Sequence, residues 1–190
     1  MSLIVKNETT EREKPELGLH DAVCCFVEDV GSHVVKTQYG DKLKHQIVIV
    51  WELEQKMEGK YDSKFAGQPF MISKTYTFTL FEKGNLSKDL QSWFSKAISE
   101  ETRKTGFDLH TLIGRKCQLN LIESEGGQYI NIGSVLPASK TNSLSIVAKQ
   151  APAWITKKRA VSIEASQQPG SDSGEPLPDP QDGEENPLPF

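Results

Sequence analysis

Hydrophobic and polar positions alternate through much of the first 137 residues, and the alternation predicts a β protein. His20 to Val30 reads as a first strand, with Ala22, Cys24 and Phe26 on one face and Val23, Cys25 and Val27 on the other. Apolar residues on both faces predict a strand covered on both sides for part of its length. Lys44 to Leu53 is the clearest strand: Ile47, Ile49, Trp51 and Leu53 share a face, and β-branched residues are frequent. Phe70 to Leu80 is a third. Its odd positions from Ser73 to Thr79 are hydroxylic. Its even positions are Phe70, Ile72, Lys74, Tyr76, Phe78 and Leu80, an apolar face broken by one lysine. The period then changes to 3.6. Leu86, Leu90, Trp93, Phe94, Ala97 and Ile98 form one helical stripe, with Asn85 as the expected N-cap. A short second helix is expected at Asp108 to Ile113, capped by Asp108 and stopped by Gly114. Strands return at Arg115 to Glu123 and Gln128 to Leu136, joined by a Gly126-Gly127 turn and ended by Pro137.

The segments between follow from composition. Met1 to Leu17 is mixed and polar, a loose arm with no signal-peptide pattern. Gly31 to Lys44 reads as a loop or hairpin tip carrying Lys36, Tyr39, Lys42 and Lys44. Gln55 to Gln68 reads as a second loop with Lys56, Lys60, Tyr61, Lys64 and Phe65. Residues 139–165 form a connecting segment. There Trp154, Ile155, Val161 and Ile163 are candidates for extra packing, and Lys157, Lys158 and Arg159 form a basic cluster. From Ser166 the chain is rich in Pro, Gly, Ser, Asp and Glu and reads as a disordered acidic tail.

The element order is strand, strand, strand, helix, strand, strand. That is the topology of the OB-fold, a five-stranded Greek-key barrel with a helix between strands 3 and 4. The expected fold class is therefore mainly β, with an OB-fold domain over 17–138. An unrelated α+β sheet of the same order is the alternative.

Charge refines the picture. The formal net charge of the 190 residues is −4. Beyond Arg159 there is no Lys or Arg, and seven of the 26 acids lie there. Residues 1–159 thus hold all 22 basic residues against 19 acids, a net of +3. That is too mild for a strong duplex binder and permits single-strand binding, where base stacking supplies part of the affinity. Strands 2 and 3 of an OB-fold, with the loops joining strands 1–2 and 4–5, are its usual oligonucleotide surface. The candidate single-stranded DNA contacts are therefore Lys36, Tyr39, Lys42, Lys44, Lys74, Tyr76, Lys83 and Tyr129. Lysines would track phosphates and the aromatic rings would stack on bases. Lys74 has two readings, a groove lysine or a barrel-rim lysine reaching water. Trp51, Phe70, Phe78 and Phe94 are expected in the core.

No phosphate loop, dinucleotide fingerprint or HExxH is present, and the four histidines show no ligand spacing. A non-enzymatic protein with no cofactor, no metal and no membrane span is expected. The adjacent Cys24 and Cys25, and the separate Cys117, read as buried reduced thiols of a cytosolic protein.

The stretches Val27-Glu28-Asp29-Val30-Gly31, Tyr39-Gly40-Asp41-Lys42, Val50-Trp51-Glu52-Leu53, Ile72-Ser73-Lys74-Thr75-Tyr76-Thr77 and Glu82-Lys83-Gly84-Asn85-Leu86 resemble a family of bacteriophage and prophage proteins. Members of that family are OB-fold single-stranded DNA-binding proteins of phage replication or recombination. The resemblance spans about Leu17 to Pro137 and implies single-stranded DNA as partner in the bacterial host cytoplasm. The tail resembles the acidic tip of bacterial single-stranded DNA-binding proteins, which also ends in Pro-Phe. Here Asp182, Glu184, Glu185, Pro187, Leu188, Pro189 and Phe190 would dock replication or recombination enzymes: a basic rim for the acids and an apolar hole for the ring. The tip departs from that pattern in having Asn186-Pro187-Leu188 where consecutive aspartates are usual. A single OB-fold covers few nucleotides, so homo-oligomers or arrays along the strand are expected. The competing reading is an adaptor or inhibitor that binds a host protein through the tail without touching DNA. A basic surface between Lys36 and Lys83 favours DNA, and a mixed-charge surface favours the adaptor.

Overall fold

A computed structural model describes residues 12–37 and 40–167. Its strands are β1 (Gly18–Thr37), β2 (Gly40–Lys56), β3 (Pro69–Thr77), β4 (Lys116–Glu123) and β5 (Ile130–Pro137). Its α-helices are α1 (Asn85–Phe94), α2 (Glu100–Thr105) and α3 (Ala153–Gln167). The strands form one antiparallel sheet in the order β3-β2-β1-β4-β5. β1 is the shared strand. Its first residues pair with β4 (Gly18↔Leu121 to Val23↔Lys116), and from Ala22 onward it pairs with β2.

Two irregularities in β1, at Cys24/Phe26 and Asp29/Gly31, correct the alternation read from the sequence. A bulge at Cys25 shifts the face by one residue, since side chains alternate with period two. Val27 therefore joins Ala22 and Cys24 in the main core, and Phe26 moves to the outer face beside Cys25 and Val30. The main core holds Ile47, Ile49, Trp51 and Leu53 of β2, Tyr76 of β3, Leu86, Leu90 and Trp93 of α1, and Leu119 and Val135. Trp51 and Trp93 lie with ring centroids 6.0 Å apart, and the Trp93 indole N–H donates to the Lys116 carbonyl at 2.9 Å. Phe78, expected in the core, is instead 55% exposed, because β3 has ended one residue earlier.

α1 is shorter than its stripe. Gly84 takes the cap position and Asn85 is the first helical residue. Ser95 adopts a left-handed conformation (φ 49°) that ends the helix, although Ile98 still packs on the core. The segment expected as a second helix forms a 3-10 turn, Leu109–Leu112, with Asp108 accepting from the His110 N–H as anticipated.

The outer face of β1 and β2 is covered by residues 138–162. Asn142 is buried and its amide donates to the carbonyls of Ala22 and Cys117, both at 3.1 Å. Ser139 donates to Asp21 at 2.9 Å. Glu52, 2% exposed on the outer face of β2, accepts the backbone N–H groups of Val147 and Ala148. α3 then lies on β1. Ile155 packs with Cys25, Val30, Val48 and Val50, and Arg159 pairs with Glu28 at 2.6 Å. Ser162 comes so close to Gly31 (φ 78°) that a Cβ there would sit 2.1 Å from its hydroxyl. Trp154 and Val161 stay exposed, on the helix face turned away from Ile155. Of the extra packing expected from this segment, Ile155 supplies its share with Ala151 beside it, and the Ile163 side chain lies outside the described residues.

Candidate nucleic-acid interface

Two groups of the sequence-predicted site residues lie on the strands, and Lys83 and Tyr129 line openings at the two ends of β3. The first group is on the hairpin of β1 and β2: of the loop or hairpin tip expected over Gly31 to Lys44 the hairpin is what forms, with more strand in it than expected. Pairing continues out to Thr37↔Gly40, placing Lys36 opposite Asp41, Lys42 opposite Val35 and Lys44 opposite His33. β2 is regular here, so Lys42 and Lys44 share the outer face with Gln46, Val48 and Val50. α3 and the segment before it cover Val48, Val50 and Glu52, while Lys42 is exposed and Lys44 half-buried. Tyr39 and the tip residues 182–190 lie outside the described residues.

The second group is a polar contact between β3 and α1. Lys74 is neither a groove lysine nor a lysine reaching water. Its ammonium sits 2.7 Å from the Asp89 carboxylate, with only 23% and 15% of the two side chains exposed. The Tyr76 hydroxyl donates to the same Asp89 oxygen at 2.8 Å. Burial, then the neighbouring Asp89 charge, pushes the Tyr76 phenol well above its ordinary value. With 2% exposure, the Tyr76 ring has no face left for a base, which corrects its assignment as a stacking residue. Even positions of β3 face the core, and the hydroxyl satisfies itself on α1 rather than on solvent.

The outward positions of β3 are Met71, Ser73, Thr75 and Thr77, directly beside Glu52, Val50, Val48 and Gln46 of β2. A groove of about 390 Å³ runs along one end of this stripe. Lys44, Thr75, Thr77, Thr79 and Lys83 line it, with Asn85 at the start of α1. Its charged lining residues are Lys44 and Lys83. The other end of β3 opens into a larger cleft of about 980 Å³. Phe70, Met71 and Ile72 of β3 meet Ile130 of β5 there. Tyr61 and Tyr129, 48% and 69% exposed, stand on its walls, and its charge is mixed, Arg12, Lys14, Lys56 and Lys60 against Glu13, Glu16 and Glu58. The nearest β3 residues of the two openings are Ile72 and Thr75, a rise of about 10 Å along one strand.

The wall of the cleft formed by residues 12–16 was expected to be a loose arm. It is tied down on both sides. Glu13 accepts the backbone N–H groups of Glu58 and Lys60, the Glu16 N–H donates to Gln55 at 2.9 Å, and Lys14 reaches the Gly127 carbonyl at 3.5 Å. Sequence reasoning missed Arg12 and Lys14, because only the fold brings this segment against the loop after β2. Tyr61 was weighed as a loop aromatic among lysines, and that pattern was its signal. Lys60 lies over its ring, 5.5 Å from the centroid.

Among the described residues no group of three or more His, Cys, Asp or Glu side chains is arranged to hold a metal, and no helix is long and apolar enough to cross a membrane. No protein-family model matches the chain, and neither does any curated protein.

Proposed function

We propose that the chain is a sequence-tolerant single-stranded DNA-binding protein of phage replication or recombination, with no catalytic activity, built on an OB-fold barrel. The sheet order supports the barrel. Curling β3-β2-β1-β4-β5 until β3 meets β5, with α1 between the third and fourth strands, generates the OB topology. Phe70 and Ile72 of β3 already share a cleft with Ile130 of β5.

One observation carries the functional reading. A single strand, β3, links a lysine-flanked hydroxyl groove to a cleft with two exposed tyrosines and a slight excess of cations over acids. Lysines at Lys44 and Lys83 suit phosphates, serine and threonine hydroxyls suit backbone oxygens, and Tyr61 and Tyr129 offer π faces that any base can stack on. The charge lining the groove, Lys44 and Lys83, supports nucleic acid over the adaptor reading, while the cleft mixes its cations with Glu13, Glu16 and Glu58. Partner recruitment through the acidic, proline-punctuated stretch 182–190 belongs to the same proposal.

The test is a fluorescence-anisotropy titration of a labelled thymidine oligonucleotide and the matching duplex at several salt concentrations. Tight, salt-sensitive binding of the single strand and weak binding of the duplex is expected. Replacing Lys44 and Lys83 together by alanine should lower the log–log salt slope by about 1.4, at ~0.7 per phosphate on single strands. Equal binding of both nucleic acids, or none at low salt, would discard the reading.

A further inference from the structure

The loop between β2 and β3 holds an anion. Met57 and Gln68 close its neck, with the Met57 N–H donating to the Gln68 carbonyl at 2.8 Å and the Gly67 N–H to the Met57 carbonyl at 2.8 Å. Just inside this neck Gly59 is left-handed, φ 78°. A Cβ on Gly59 would lie 2.7 Å from the Ala66 methyl, so only glycine fits there. The backbone N–H groups on either side, of Glu58 and Lys60, converge on the Glu13 carboxylate. Each donates to a different oxygen, the Glu58 bond measuring 2.7 Å. Converging main-chain N–H groups around a left-handed residue are a general anion cradle. Lys56, Lys60 and Arg12 add positive charge around it, in the same cleft as Tyr61 and Tyr129.

A carboxylate and a phosphodiester present the same feature to such a cradle, two oxygens sharing a negative charge. Glu13 belongs to a short segment whose other hydrogen bonds, among the described residues, are those of Lys14 to Gly127, the Glu16 N–H to Gln55, and the Glu16 carbonyl with His20. We propose that the Glu58–Lys60 main chain is a phosphodiester-binding cradle that Glu13 occupies in the free protein, so that residues 12–16 gate entry of the strand into the cleft. The proposal rests on the single-stranded DNA reading and names a regulation of that same site. A bound strand displaces Glu13 with one backbone phosphate and places the adjoining bases between Tyr61 and Tyr129.

The experiment uses the full chain and the labelled thymidine oligonucleotide, with the variants E13A, E13Q and E16Q, and backbone amide NMR as a second readout. If Glu13 fills the cradle most of the time, emptying it raises affinity by on the order of ten-fold. E13A should show that gain with an unchanged salt slope, because the same phosphate occupies the cradle in both bound states. E13Q, which keeps one acceptor oxygen, should fall between E13A and the parent. E16Q removes a charge from the same cleft but not from the cradle, and should change affinity by less than about two-fold. Adding G59A to E13A should abolish the gain. The amides of Glu58 and Lys60 should shift when oligonucleotide is added to the parent, and when inorganic phosphate is added to E13A. Unchanged or weaker binding by E13A, an equal gain in E16Q, or unmoved Glu58 and Lys60 amides would each overturn the proposal. If no variant binds oligonucleotide, the single-strand reading falls, and the phosphate titration of E13A decides the cradle alone.

Discussion

Replacing Glu52 by alanine tests whether the segment after β5 is clamped to the sheet by one buried carboxylate. Glu52 is 2% exposed on β2, and its oxygens take the Val147 and Ala148 N–H groups. Removing the side chain leaves both donors without their acceptor. A buried donor stripped of its partner costs about 1–3 kcal/mol. Val147 is 63% exposed on its own account, so its N–H can recover water and its share falls at the low end. The expected loss for E52A is therefore about 2–4 kcal/mol. In a chain of this size that lowers the melting temperature by roughly 10 °C, at about 2–4 °C per kcal/mol. E52Q keeps the shape and one acceptor oxygen but loses the charge, and should cost about 1–2 kcal/mol. Equilibrium urea denaturation supplies the free energies. Limited trypsin digestion supplies the location, because release of the clamp frees the backbone around Lys149 and should speed cleavage there before the sheet is attacked. A stability change in E52A under about 0.5 kcal/mol, with unchanged cleavage at Lys149, would refute the clamp.

The three cysteines give a pH prediction. Burial, reinforced by neighbouring Cys25, raises the Cys24 thiol far above its ordinary value, and burial then Cys24 and Asp21 do the same for Cys117. Burial and then the Glu52 charge push Cys25 up to about 12. A raised folded value favours the native state only while the unfolded thiols keep their protons. Stability should thus be level below about pH 8.5 and fall above it, as unfolded thiols ionise; urea melts from pH 7 to pH 10 that show no decline would contradict this. At Tyr76, phenylalanine keeps the packing and removes the hydroxyl bond to Asp89. Y76F should cost about 0.5–1.5 kcal/mol in urea melts and leave oligonucleotide affinity unaltered, and a large loss of affinity would show that the hydroxyl serves the DNA rather than Asp89. Y129A should do the reverse, weakening oligonucleotide binding by about 1–3 kcal/mol with an unchanged melting temperature, since the side chain is 69% exposed.

The strand order and the place of the helix were legible because they depend on period, a local property. Ile47, Ile49, Trp51 and Leu53 alternate without interruption, and β2 runs through them as read. β1 resisted because a bulge is a choice between two partners. Nothing in the run from Ala22 to Val27 says that Cys25 is the extra residue, and only pairing with Trp51 and Val50 makes it so. The stretch beyond Gly31 was read as a loop or hairpin tip because its lysines and glycines carry loop composition. Two strands that pair with each other need no apolar face to stay extended, so composition hid how far the strands of the hairpin run. α2 did leave a signal. Ser99 precedes Glu100 and Glu101, and Arg103 and Lys104 follow, a capped turn with charges matched to the helix dipole.

Site residues were legible in proportion to how local their geometry is. Tyr129 needed only a turn after a strand to be exposed, and it is. Tyr76 was assigned outward because Lys74 beside it argued for a polar groove. The same lysine has the opposite meaning once Asp89 is present. Lys74 and Tyr76 lie two residues apart on one strand, and Asp89 stands thirteen residues past Tyr76, on the helix that crosses them. A charge inside an apolar strand face therefore asks first where its counter-charge lies, and the helix that follows is the place to look. The cleft extends that argument. Glu13 and the loop that holds it are more than forty residues apart, and each alone reads as solvated charge. Their meeting turns two featureless stretches into an anion cradle with an occupant, and the occupant's chemistry says what would replace it.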